Sequence, residues 1–81
     1  MAELKTTYDR QANAAYIYFE DPAQTGAPGA AVKTYTCDPS AVNGMINLDF
    51  DEEGRVIGIE ILDARSKLPS YLLDAAERLD D

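Results

Sequence analysis

The stretch Gly44–Leu62 reads GMINLDFDEEGRVIGIEIL. Two runs in which apolar and polar residues alternate flank an acidic loop ending on Gly54, and period-two alternation marks half-buried strands. The stretch therefore reads as a β-hairpin. Asp51 suits the first position of a type I turn. Gly54 suits the last, where a residue without Cβ takes a left-handed conformation at no steric penalty. Cross-strand partners share a face, so side-chain parity constrains the loop. Pairing Phe50 with Arg55 sets Leu48 opposite Ile57 and Ile46 opposite Ile59, whereas a one-residue slip sets Asp49 against Ile57. An even loop is expected, with Ile46, Leu48, Phe50, Ile57, Ile59 and Ile61 on the core face. Val56, Gly58, Glu60 and Leu62 then face the other way.

Working outward, Leu4–Tyr8 and Ala14–Glu20 read as strands rich in aromatic and β-branched residues. Asp9–Asn13 is the turn between them, since Asp bonds nearby backbone and Asn tolerates positive φ. Asp21–Gly29, with Pro22 and Pro28, reads as an exposed loop. Ala31–Cys37 alternates weakly as a further strand, and Asp38–Ser40 turns the chain. At the C-terminal end, apolar residues at 68, 72, 75, 76 and 79 have the spacing of one helical face, with Pro69 at the first helical position. This helix is expected to cover the isoleucine face, and its last turn, ending on Asp80 and Asp81, to fray. The fold class is α+β: a small antiparallel sheet of four to five strands in two hairpins, packed against one C-terminal helix. Residues 1–81 are expected to form a single domain.

Composition narrows function. The chain has 81 residues, 15 Asp and Glu against 7 Lys and Arg, no histidine and a formal charge of −8. Nucleic-acid binding needs a basic stripe to displace phosphate counterions, so it is excluded, and a basic protein partner fits better. No apolar run approaches the length of a membrane helix and Met1–Thr7 lacks signal-peptide regions, so no membrane role and a cytoplasmic location are expected. The single Cys37 suits a reducing compartment as a small half-buried residue. A core this small leaves much surface exposed, which favours self-association.

Candidate chemistry is sparse. Asp49, Asp51, Glu53, Gly54 and Glu60 follow the spacing of a calcium-binding loop with one mismatch at Glu53. That loop needs flanking helices, whereas these flanks alternate as strands, and no metal site is assigned. Asp49, Asp51, Glu52, Glu53, Glu60 and Asp63 could supply an acid and base pair for hydrolysis, yet no spacing singles out two of them. Without histidine there is no imidazole base for Cys37 or a serine. No catalytic residue and no cofactor is assigned. Tyr16 and Tyr18 point away from Ile17 and Phe19. With Met45, Val56 and Leu62 they make a second, half-apolar face of the kind that meets another protein, and Glu60 lies among them.

The segments YDRQANAAYIYF and LDFDEEGRVIGIEILDARSKLP resemble the bacterial family called domain of unknown function 2283. Tyr8, Asp9, Ala12, Tyr16 and Ile17 fit its first motif. Asp49, Asp51, Gly54, Gly58, Ile59, Glu60, Ile61, Leu62, Asp63 and Ala64 fit its second. Asn13 stands where the family usually has an acid, and Arg65 where it has serine. The resemblance implies a compact β-rich domain with no established activity. The expectation is a noncatalytic interaction module that forms a homodimer through Tyr16, Tyr18, Met45, Val56, Glu60 and Leu62. Its rivals are an acidic antitoxin-like partner of a basic small protein and a cation-dependent hydrolase.

Overall fold

A computed structural model of the chain describes residues 4–19 and 31–79. The expected Asp21–Gly29 loop and the fraying end at Asp80 and Asp81 lie outside these residues. In chain order the elements are β1 (Lys5–Asp9), β2 (Ala14–Tyr18), β3 (Lys33–Thr36), α1 (Pro39–Val42), β4 (Ile46–Phe50), β5 (Val56–Leu62), α2 (Ala64–Lys67), α3 (Ser70–Ala75) and β6 (Glu77–Arg78). The six strands form one sheet in the order β3-β4-β5-β2-β1-β6. The α+β class holds. The sheet is mixed rather than antiparallel, because β6 runs parallel to β1, and among the described residues two short helices, α2 and α3, stand where one C-terminal helix was expected.

The first hairpin forms where the residue types allow it. Asp9 accepts hydrogen bonds from the backbone N–H groups of Gln11 and Ala12 at 3.0 and 3.1 Å, and Asn13 takes φ of 53°. An Asx-type turn followed by a left-handed Asn is the local device that reverses the chain.

The second hairpin is solved differently from the even loop expected. Asp51 N donates to Arg55 O at 2.9 Å and Gly54 N to Asp51 O at 3.1 Å, with Gly54 at φ of 80°. This is a type I turn closed by a left-handed glycine, which makes a three-residue loop. An odd loop alone would set Ile46 opposite Glu60. A bulge at Ile57 restores parity: Phe50 pairs with Val56, but Asp49 pairs with Gly58, Leu48 with Ile59 and Ile46 with Ile61. The pairs are therefore shifted by two residues from Leu48 with Ile57 and Ile46 with Ile59, and the isoleucines stay on one face. Nothing crowds the space a Gly54 side chain would fill, so substitution there is penalised by backbone conformation alone. Gly54→Val is expected to destabilise by about 1 kcal/mol or more, read as a lower urea midpoint with unchanged slope.

The C-terminal segment departs furthest from the single amphipathic helix. Pro69 has no N–H and confines the residue before it, and Leu68 is extended at φ −116°, ψ 147°. The helix thus breaks into α2 and α3. Its phase changes with the break: Leu73 and Ala76 are buried, whereas Ala75 and Leu79 are exposed. Ala76 is extended, and Glu77–Arg78 then pairs with the outer edge of β1, Thr7 opposite Glu77 and Tyr8 opposite Arg78. Pairing satisfies edge groups of β1 that a longer helix would have left open.

The core lies where α2 and α3 meet β1 and β2. Tyr8, Ala15, Ala64, Leu73 and Ala76 form a buried cluster against which Leu68 packs. Tyr8 and Ala15 are cross-strand partners and Ala15 is opposite Ile61, so the helices sit on the isoleucine face but at one end of it. Ile17, Ile46, Leu48, Phe50, Ile57 and Ile59 on that face are only half-buried.

Candidate functional site

The register lines up two rows of side chains on the face opposite the helices. Thr36, Asn47, Glu60, Tyr16 and Thr7 succeed one another across five strands, as do Thr34, Asp49, Gly58, Tyr18 and Lys5. These residues bond to each other. Thr36 Oγ1 donates to Asn47 Oδ1 at 2.7 Å, and Asn47 Nδ2 donates to Glu60 Oε1 at 2.8 Å. Asp49 accepts from Thr34 Oγ1 and from Tyr16 OH, each at 2.6 Å. The Tyr16 ring reaches Asp49 by lying across Gly58, whose missing side chain leaves the room. Its centroid is 4.6 Å from that of Tyr18, and Lys5 Nζ stands 5.6 Å over the Tyr18 ring.

Burial raises the Tyr16 phenol well above its ordinary range, and the hydrogen bond to Asp49 with the charges around it pushes it further. A phenol held neutral in the fold but ionising near 10 when unfolded contributes stability that is present below about pH 10 and lost above it. Wild type is expected to lose urea resistance as pH rises past about 10, and Tyr16→Phe to flatten that slope. Urea titrations of both proteins at neutral and alkaline pH check this.

Of the residues expected at an interface, Tyr16, Tyr18, Glu60 and Leu62 share this tyrosine face. Met45 reaches its end through the bond from Leu62 N to Met45 O at 3.0 Å. Val56 stands outside the run, because the bulge sets it opposite Phe50. Glu60 accepts from Asn47 Nδ2.

Asp49 and Glu60 both act on Tyr16, whereas Asp51 is taken up by its own turn. Asp51 accepts from the N–H groups of Glu53 and Arg55 and from Arg55 Nε, at 2.9 to 3.0 Å. The backbone bond from Arg55 leads the causes that hold it below the usual carboxylate range, which is the wrong direction for a general acid. Among the described residues, no three of the His, Cys, Asp and Glu side chains are placed to hold a metal ion. Also among them, no helix is long and apolar enough to cross a membrane.

A second feature, absent from the sequence reading, lies at the helix end. Asn13 and Asp63 are both left-handed and clasp each other, Asn13 Nδ2 donating to Asp63 Oδ1 at 3.0 Å. Asn13 also accepts from Arg65 N at 3.0 Å through its side chain and from Ala64 N at 2.9 Å through its backbone. Ser66 Oγ donates to Asp63 at 2.6 Å, the main reason that the Asp63 carboxyl lies below its ordinary range. The clasp ties the β1–β2 turn to α2 and brings Arg65 Nη1 to 3.5 Å from Tyr8 OH. Arg10, Arg65 and Arg78 then line one hollow. These residues are scattered along the chain, and no local run could have announced their meeting.

Neither a curated protein nor a solved structure matches the sequence. The family described as protein of unknown function DUF2283 matches residues 5–65, and the clasp, both hairpins and the tyrosine face fall within that span. The chain belongs to the DUF2283 family.

Proposed function

We propose that the chain is a noncatalytic interaction module that pairs with a second copy of itself through the isoleucine face. The observation that carries this reading is the size of the core. Among the described residues, the buried apolar side chains are Tyr8, Ile61, Leu73 and three alanines, and no large side chain is fully enclosed. The helices cover one end of the face; beyond them Ile17, Leu48 and Ile59 are half-buried, and Phe19 and Tyr35 are 40% and 55% exposed. Burial stabilises by about 25 cal/mol per Å² of apolar surface, and a stable pair needs roughly 800 Å² from each partner. A two-fold axis lets one patch supply both halves. The tyrosine face is less suited, since its central hydrogen-bonding groups are spent on one another.

Sedimentation equilibrium tests the reading. Wild type is expected to be dimeric at micromolar concentration. Phe19→Asp and Tyr35→Asp, both at exposed positions, are expected to give monomers with unchanged circular dichroism, while Tyr18→Asp stays dimeric. A monomeric wild type at high micromolar concentration contradicts the proposal. Dissociation by Tyr18→Asp alone would move the interface to the tyrosine face.

A further inference from the structure

We infer that the hollow between α3 and the β1–β2 turn binds a small dianion of the phosphate-monoester class. The chain is strongly acidic, with 15 acidic against 7 basic residues, yet three of its four arginines line this one hollow of about 230 Å³. Arg10 comes from the turn, Arg65 from α2 and Arg78 from β6. Tyr8 and Leu73 complete the wall with Ser70 and Asp74. Among the described lining residues, three arginines stand with one carboxylate, in a molecule of −8.

Two of the arginines, Arg65 and Arg78, are held rather than merely near. The Arg78 guanidinium lies 5.4 Å from the centroid of the Tyr8 ring, and Tyr8 is itself only 3% exposed. Cation–π attraction to the ring holds the Arg78 guanidinium in place. Arg65 is fixed at its backbone by Asn13 and set beside the Tyr8 hydroxyl at its head. Two forks anchored on one aromatic floor match the paired oxygens of a phosphate, which arginine binds bidentately. Of the carboxylates outside the lining, Asp63 lies within electrostatic reach of Arg65, and fields beyond about 8 Å are screened at physiological salt. The volume suits a compact headgroup, below the roughly 300 Å³ at which drug-sized pockets begin. Ser70 adds a hydroxyl that can donate to the same ligand.

The test is an amide and arginine Nε–H NMR titration with inorganic phosphate at constant ionic strength and slightly above neutral pH, with acetate and chloride as controls. Saturable shifts at Arg10, Arg65, Ser70 and Arg78 are expected with phosphate alone. Arg65→Met is expected to weaken binding by about tenfold or more while the circular dichroism in chloride stays that of the wild type. Should that variant fail to fold, Arg10→Gln at the exposed turn is read in the same way. Shifts that do not saturate, that acetate reproduces, or that persist undiminished in the folded variant would overturn the assignment.

Discussion

Leu73→Ala is expected to cost about 3 kcal/mol, close to the middle of the range for removing a buried leucine. Leu73 is 5% exposed and sits among Tyr8, Ala15, Ala64 and Ala76. Three of those neighbours are alanines, which cannot extend into a void, and the fourth is a ring fixed between Arg65 and Arg78. The cavity therefore stays open and its full cost is felt. A chain of 81 residues is stable by roughly 4 to 12 kcal/mol at the usual value per residue, so this single change removes a large fraction. Urea denaturation checks it, with both proteins at one concentration because association adds to apparent stability. A loss under about 1 kcal/mol would show that α3 collapses onto the sheet and that the core is less fixed than described.

Gly58→Ala is expected to cost about 2 kcal/mol, as an overpacked core position does. A Cβ there would meet the phenol end of the Tyr16 ring. The ring cannot swing aside freely, since it bonds Asp49 at 2.6 Å and packs against Tyr18. Admitting the methyl group means giving up that bond and its partner's satisfaction. The cost is specific to the ring, so in a Tyr16→Ala background the same change is expected to cost less than about 0.5 kcal/mol. Equal costs in the two backgrounds would contradict this account of the face.

The sequence made the hairpin legible because alternation reports faces directly. Parity places Ile46, Leu48, Ile59 and Ile61 together, as observed, and Asp51 and Gly54 occupy the turn positions that their chemistry suits. The exact pairs were not legible. An odd loop corrected by a bulge and an even loop without one give the same faces for Ile46, Leu48, Ile59 and Ile61 and differ at Val56, and nothing in the alternation of VIGIEIL separates them. The C-terminal helix misled for a related reason. Spacing at 68, 72, 75, 76 and 79 fits a helical face, but the cost of Pro69 and the open edge of β1 outweighed it, and Glu77–Arg78 became a strand. Shortening the helices left apolar surface uncovered on the isoleucine side.

The candidate sites divide along the same line. Tyr16, Tyr18 and Glu60 could be set on one face by counting residues. Their bonds to Asp49 and Asn47 depend on which strands are neighbours, which counting does not reveal. The arginine hollow depends on the clasp between Asn13 and Asp63, fifty residues apart in the chain. Left-handed φ at Asn13 follows from residue type, but at Asp63 it follows from the tertiary contact.

Whether two copies meet on the isoleucine face is measured most directly by mixing isotope-labelled with unlabelled protein and recording NOEs that can arise only between protomers. The expected result is a set of intermolecular NOEs from the methyl groups of Ile17, Leu48 and Ile59 to the rings of Phe19 and Tyr35. Intermolecular NOEs confined to Tyr16, Tyr18 and Leu62, or none in a sample at high micromolar concentration, would contradict it.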